Sequence, residues 1–139
     1  MVYVDTSVLV ALFTNEATAE RIANWVAEET RQLVSGDWCV TEFASALALK
    51  QRTSQITSRQ GNAAWNVFGQ FCEGHLRLLP LDRDVFSQAA HLARNSKSGL
   101  RAGDALHLAL ALRVKSAAFF TLDLRLAESA KLRKLPVIL

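Results

Sequence analysis

The stretch that decides the fold is VYVDTSVLVALF, residues 2–13, in which a short apolar run is followed by an acid and then by an apolar helical segment. Val, Tyr and Val are typical of a buried strand, and Asp-Thr-Ser is typical of a strand end that leads into a helix. We therefore predict a strand at residues 2–4 and a helix at residues 7–13. A strand that passes directly into a helix favours a parallel sheet, because the helix carries the chain back across the sheet.

The same alternation continues to the end of the chain, which predicts an α/β fold with helices covering a parallel sheet. The predicted strands are residues 2–4, 32–35, 76–79, 118–121 and 137–139. The predicted helices are residues 7–13, 17–28, 41–52, 58–72, 83–95, 101–115 and 124–130. Because the helix at 101–115 has Ala and Leu on almost every side, we expect it to be enclosed by the fold.

Composition limits the class of protein. With 139 residues and 15.3 kDa, a single domain spanning residues 1–139 is expected. Half of the residues are hydrophobic and 21% are charged, which excludes a largely disordered chain. Asp5 lies where a signal peptide would need apolar residues, and no apolar stretch is long enough to span a membrane, so we predict a cytoplasmic protein. Cys39 and Cys72 are isolated, which excludes CxxC zinc and redox motifs.

Four acidic residues are expected at one edge of the predicted sheet. Asp5 ends the first strand and Asp123 follows the fourth, while Glu42 and Asp104 fall in the first turns of helices predicted to begin near residues 41 and 101. In a parallel α/β sheet the carboxyl ends of the strands and the amino ends of the returning helices face the same edge. Each acid also has a purely structural interpretation as a turn or helix-capping residue, since Asp and Glu are common there.

A cluster of four carboxylates has a chemical consequence. At a separation of about 4 Å, each pair of like charges repels by roughly 4 kcal/mol at an effective dielectric constant of 20. Such a cluster must take up protons or bind cations, and oxygen ligands without Cys or His favour Mg²⁺, with Mn²⁺ as a substitute. The chemistry indicated is metal-assisted phosphodiester hydrolysis. The net charge of +3 is compatible with an anionic partner.

Four short motifs, taken in order, resemble those of the PIN-domain ribonucleases, and specifically the VapC toxins of toxin-antitoxin pairs. They are Val4-Asp5-Thr6-Ser7, Thr41-Glu42-Phe43, Arg101-Ala-Gly-Asp104-Ala-Leu-His107 and Thr121-Leu-Asp123. The resemblance covers essentially the whole chain. It implies a PIN-like three-layer α/β/α sandwich with a central parallel sheet of about five strands in the order 3-2-1-4-5.

The resemblance also implies an activity and a site. The activity is Mg²⁺-dependent endoribonuclease cleavage by a metal-activated water, as the toxin of a toxin-antitoxin pair. Asp5, Glu42 and Asp104 would hold the metal, and Asp123 would complete the acidic pocket directly or through water. Ser7 and Thr121 match small hydroxyl positions near the pocket, where they could orient waters or carboxylates or make simple capping bonds.

Two residues near Asp104 have open roles. Arg101 is expected either to pair with a carboxylate or to touch a substrate phosphate. His107 lies on a helix that is apolar almost all round, so a packed, hydrogen-bonded histidine is favoured over a general base.

The resemblance further implies two protein partners, a cognate antitoxin and a second copy of the chain in a homodimer. A groove between the helices at 41–52 and 58–72 is a candidate antitoxin surface. Its apolar residues would be Phe43, Leu47, Trp65 and Phe68, although a stripe containing Trp65, Phe68 and Phe71 is more typical of a core-facing helix.

Other functional classes fit less well. A haloacid-dehalogenase phosphatase needs a second Asp where this chain has Ser7, a receiver domain needs an acidic pair before its phosphorylated Asp, and no Walker or GxGxxG loop follows any strand. The remaining alternative is a non-catalytic module on the same fold that binds RNA or a protein partner.

Overall fold

A computed structural model describes residues 1–139 and has a five-stranded parallel sheet in the order β3-β2-β1-β4-β5. The strands are β1 (Val2–Val4), β2 (Leu33–Gly36), β3 (Leu76–Leu79), β4 (Ala118–Phe120) and β5 (Val137–Ile138). The helices are α1 (Thr6–Phe13), α2 (Ala19–Glu28), α3 (Trp38–Arg52), α4 (Ser58–Gly74), α5 (Arg83–Ala93), α6 (Ala102–Arg113) and α7 (Leu124–Leu132). The predicted α/β/α class and strand order are confirmed.

Strand β1 lies at the centre of the sheet and divides its side chains between two cores. Val2 and Val4 pack with α1 to α4, whereas Tyr3 packs with α5 to α7. This alternation is the period of two that a strand buried on both faces requires. Val2 pairs with Leu33 of β2 and with Ala118 of β4, so both neighbours of β1 come from distant parts of the chain.

Helix α6 is enclosed, as its composition predicts. Every residue from Ala105 to Ala111 is buried, and the helix packs between α5, α7 and the sheet. Because α6 cannot shift without disturbing these contacts, the residues of its first turn have a rigid support.

Helix α3 begins earlier than predicted. Its first residue is Trp38, since Asp37 directly follows β2 and its backbone N–H extends the sheet pairing by donating to Leu79 O at 2.9 Å. The predicted start near Thr41 is therefore three residues too late. The chain instead turns into the helix at once, with no capping bond from a side chain.

Both cysteines are free thiols. Cys39 is fully buried and Cys72 is half-buried, and burial raises the pKa of Cys39 to about 12 and that of Cys72 to about 11. Neither thiol is therefore poised as a nucleophile at neutral pH. None of the helices combines the length and the apolar character needed to cross a bilayer.

Candidate metal centre

The four acids singled out in the sequence line one open cleft of about 420 Å³. Asp5 directly follows β1, Asp123 directly precedes α7, and Asp104 is the third residue of α6. Glu42 was expected in the first turn of its helix, which is wrong because α3 begins at Trp38 and places Glu42 in the second turn. The longer glutamate side chain still reaches the cleft from there.

Asp5 is the most buried of the four acids, at 5% exposed. Its Oδ2 accepts hydrogen bonds from Ser7 Oγ at 2.5 Å and from Thr121 Oγ1 at 2.8 Å. The same hydroxyl oxygens accept the backbone N–H groups of Leu122 and Asp123, both at 3.0 Å. Ser7 and Thr121 thus orient the Asp5 carboxylate and tie it to the loop after β4. Asp5 occupies the N-cap position of α1, but its carboxylate makes no cap bond to that helix.

Asp104 and Asp123 serve as helix-end acids and also face the cleft. Asp104 Oδ2 accepts the Arg101 backbone N–H at 3.2 Å, and Asp123 Oδ1 accepts the Leu126 backbone N–H at 3.0 Å. The Arg101 guanidinium lies 3.5 Å from Asp104 Oδ2 and 3.8 Å from Asp123 Oδ2. Of its two expected roles, Arg101 therefore pairs with carboxylates in this structure, while its side chain remains 80% exposed.

Glu42 is held by a buried polar network. Its Oε2 accepts from Thr6 Oγ1 at 2.7 Å and lies 2.6 Å from His107 Nε2. The other ring nitrogen of His107 lies 2.9 Å from the Tyr3 hydroxyl, which also accepts the Gly36 N–H at 3.0 Å. His107 is only 1% exposed, which confirms the packed, hydrogen-bonded histidine that the sequence favoured.

Each carboxylate has one oxygen bound to protein donors and one oxygen without a hydrogen bond. The bound oxygens are Asp5 Oδ2, Glu42 Oε2, Asp104 Oδ2 and Asp123 Oδ1. The remaining oxygens accept none, and Asp123 Oδ2 has only the distant Arg101 guanidinium nearby. Oriented carboxylates with an open oxygen are the donors that Mg²⁺ and Mn²⁺ prefer, so the residues present fit a hard divalent cation.

The local electrostatics differ between two of the acids. Burial raises the pKa of Asp104, and the neighbouring Arg101 only partly opposes this effect. Burial also acts to raise the pKa of Glu42, but the hydrogen bond and charge of His107 outweigh it and lower that pKa. Of these two carboxylates, Asp104 is therefore the one whose burial is not fully offset by hydrogen bonds and positive charge.

Sequence reasoning gave Thr6 and Glu16 no role in the site and did not predict that His107 contacts Glu42. Thr6 and His107 both contact Glu42, and Glu16 lines the cleft and pairs with Lys50 at 2.8 Å. The ligand atoms of Asp5, Glu42 and His107 lie within 4.8 Å of one another. The position of His107 one turn after Asp104 was the available signal, but its contact with Glu42 depends on the packing of α3 against α6.

A glycine makes room for Glu42 on α6. A Cβ atom at Gly103 would overlap Glu42 Oε1 and would lie 3.0 Å from Trp38 Nε1, which is buried without a hydrogen-bond partner. Gly103 is thus required by the close approach of α3 to the first turn of α6.

We expect Gly103→Ala to destabilise the protein, although alanine in a helix normally gains roughly 0.5–1 kcal/mol over glycine. The added methyl group displaces a carboxylate that accepts two hydrogen bonds, each worth about 1.5–3 kcal/mol for a charged group. The loss outweighs the gain, and urea unfolding would measure it. Gly69→Ala is the matched control, because nothing lies within 4 Å of its added Cβ and α4 should be stabilised. Equal gains in both variants would contradict the steric argument.

The groove suggested as an antitoxin surface does not have the expected composition. Phe43, Leu47 and Phe68 are 0%, 5% and 2% exposed, so they form the core between α3 and α4 and are not available to a partner. Only Trp65 of that set is exposed, at 41%. The core interpretation of the aromatic stripe is correct for Phe68 and incorrect for Trp65.

Comparisons with known proteins agree with this architecture. The model of the PIN domain family matches residues 2–132. The chain is 27% identical over 133 residues to ribonuclease VapC47 of Mycobacterium tuberculosis, covering 94% of this chain and 90% of that protein.

Two solved structures share the fold. The Mycobacterium tuberculosis VapC20 structure, a sarcin-ricin loop cleaving toxin, has a TM-score of 0.74 and 18% identity over 93% of this chain and 95% of that chain. A toxin-antitoxin complex from Klebsiella pneumoniae has a TM-score of 0.59 and 14% identity over 88% of this chain and 87% of that chain.

Proposed function

The chain belongs to the PIN domain family, and from that premise we propose that it is a Mg²⁺-dependent endoribonuclease that acts as the toxin of a toxin-antitoxin pair. The single observation that carries the enzymatic part is the arrangement of the four acids. Asp5, Glu42, Asp104 and Asp123 come from four separate segments of the chain, line one cleft, and each has an oxygen that accepts no hydrogen bond from the protein. The relative named ribonuclease VapC47 supports RNA as the substrate.

In this proposal Asp5, Glu42 and Asp104 hold the cation, and Asp123 completes the site directly or through a water. A divalent cation bound there supplies Lewis-acid stabilisation of a phosphate oxygen and lowers the pKa of a coordinated water. The protein contributes orientation, since Ser7 and Thr121 fix Asp5 while Thr6 fixes Glu42. The openness of the cleft suits an exposed RNA strand.

The test of this function compares RNA cleavage by the purified protein with Mg²⁺, with Mn²⁺ and with a chelator. Cleavage is expected only with metal, and Mn²⁺ is expected to raise the melting temperature because it binds the folded state. RNA that is bound but never cut would favour the alternative, a non-catalytic RNA- or partner-binding module on this fold. Cleavage that persists in chelator would contradict the proposed mechanism.

Arg101 is expected to contact RNA phosphate. Its exposed guanidinium is only loosely paired and can turn toward a substrate at the mouth of the cleft. Arg101→Gln should weaken RNA binding and reduce the salt dependence of the affinity by roughly 0.7 in log–log slope per lost phosphate contact on a single strand. Filter binding at several salt concentrations measures both quantities.

Arg31→Gln is the matched control for Arg101, because Arg31 is also exposed and paired, with Glu29, but precedes β2 at the opposite edge of the sheet. An equal loss of affinity in the two variants would contradict a specific contact by Arg101.

We also propose a cognate antitoxin and a homodimer as the assembled state. The likeness to a structure described as a toxin-antitoxin complex supports an antitoxin partner. Co-purification with a candidate antitoxin and light scattering of the isolated protein test the two parts separately.

A further inference from the structure

We propose that His107 is a positioning residue that orients the metal-binding carboxylate of Glu42 by donating a hydrogen bond from its Nε2–H. This inference deepens the proposed function and rests on Glu42 being a metal ligand. His107 touches neither the cleft nor a substrate, since it is 1% exposed and is absent from the lining of the cleft. Its effect on the metal is therefore exerted through Glu42.

The contact with Glu42 determines that Nε2 of His107 carries a proton. The Tyr3 hydroxyl accepts the Gly36 backbone N–H at 3.0 Å and lies 2.9 Å from His107 Nδ1, so it can accept from or donate to that nitrogen. Nε2 also lies 3.0 Å from Thr6 Oγ1, whose own proton goes to Glu42 Oε2. Because an ionised carboxylate oxygen only accepts hydrogen bonds, the contact between Nε2 and Glu42 Oε2 requires a proton on Nε2, whether or not Nδ1 also carries one. That proton points at Glu42 Oε2, 2.6 Å away.

With this proton in place, Nε2 of His107 is not a metal ligand, even though it lies within 4.8 Å of ligand atoms of Asp5 and Glu42. A protonated Nε2 has no lone pair to give to a cation. The bond from Nε2 instead occupies one oxygen of Glu42, and Thr6 Oγ1 donates to the same oxygen. Glu42 Oε1, which lies against Gly103 beside Asp104, is the oxygen left for the metal.

Hydrogen-bonded partners that orient a ligating side chain typically affect metal affinity by roughly 10- to 100-fold. The chain Gly36 to Tyr3 to His107 to Glu42 links the backbone at the end of β2 to the cleft through buried groups alone. Its burial means that solvent cannot replace a missing donor, so loss of the His107 hydrogen bond is not compensated by water.

The experiment uses the full chain and Mn²⁺ alone as the probe. Isothermal titration calorimetry of wild type, His107→Leu and His107→Gln measures Mn²⁺ affinity, and thermal unfolding of each metal-free protein measures stability. We expect His107→Leu to bind Mn²⁺ roughly 10- to 100-fold more weakly, and His107→Gln, which keeps an N–H donor, to recover part of that loss. Wild-type affinity in a folded His107→Leu protein would overturn the proposal.

A second measurement does not depend on a variant that folds. Nitrogen NMR of the histidine rings in the wild-type protein should show the His107 proton on Nε2, and a bare Nε2 would overturn the proposal. Both readouts are independent of RNA cleavage. If the wild type cuts RNA but His107→Leu retains full Mn²⁺ affinity, this inference fails while the proposed function stands. If the wild type never cuts RNA but the loss of Mn²⁺ affinity and the proton on Nε2 are both found, the proposed function fails while this inference stands.

Discussion

Replacing Asp5 or Asp104 with asparagine is expected to abolish RNA cleavage in a protein that remains folded. An amide keeps the size of the side chain but removes the negative charge and one oxygen that could bind a cation. Removing a residue that only orients a metal ligand typically costs up to about 100-fold in metal affinity or activity. Removing a ligand itself should therefore reduce the rate of RNA cleavage by at least about 100-fold. A cleavage assay with a defined RNA in Mg²⁺ measures it.

The stability of these variants distinguishes a chemical defect from unfolding. Because burial raises the pKa of Asp104, its ionised form is less favourable in the folded chain than in the unfolded chain, and a neutral amide removes that penalty. Asp104→Asn should therefore melt no lower than the wild type without metal. It should also lose the Mn²⁺-dependent rise in melting temperature. Undiminished cleavage by both variants would refute the assignment of the acids.

The second large effect is on stability and concerns Phe43, which joins α3 to α4. Its ring is fully buried and stacks on Phe68 with 4.1 Å between ring centroids, and Phe13 meets it edge-on at 6.1 Å. Phe43→Ala should cost about 3–5 kcal/mol, because the transfer free energy and aromatic contacts are lost and a cavity remains. That is a large share of the roughly 5–15 kcal/mol by which most domains are stable.

Trp65→Ala is the control for Phe43, since Trp65 lies in the same aromatic cluster but is 41% exposed. Its free energy of unfolding, measured in urea, should fall by clearly less than that of Phe43→Ala. Equal losses would contradict the distinction between core and surface. The comparison also tests whether Phe43 belongs to the core or to a docking groove, because a buried core residue cannot contact a partner protein.

The architecture was predictable from sequence because its signals are local. The apolar run of β1, the change to helical periodicity after Asp5 and the all-round apolar surface of α6 each restrict the structure of their own segment. Parallel pairing then follows from the alternation of strands and helices. The position of the acids at one edge follows in turn from the general geometry of parallel sheets.

What could not be predicted depends on contacts between distant segments. Glu42 and His107 are 65 residues apart, and nothing in either segment indicates that Nε2 meets Oε2. The requirement for Gly103 is likewise invisible in its own helix, because α3 imposes it. The helical periodicity of α4 places Trp65 and Phe68 near one face of that helix. It does not show that α3 covers Phe68 and leaves Trp65 exposed.

Because β1 pairs with β4, the cleft cannot form during synthesis until β4 has been made. Val2 pairs with Ala118, and the carboxylate of Asp5 is held by Thr121, so β1 lacks this neighbour until the segment at residues 118–121 has been synthesised. Contacts so far apart in sequence close late and slowly. The nascent chain therefore carries Asp5 and Glu42 without a completed acidic cleft until the segment that contains Thr121 and Asp123 has been made.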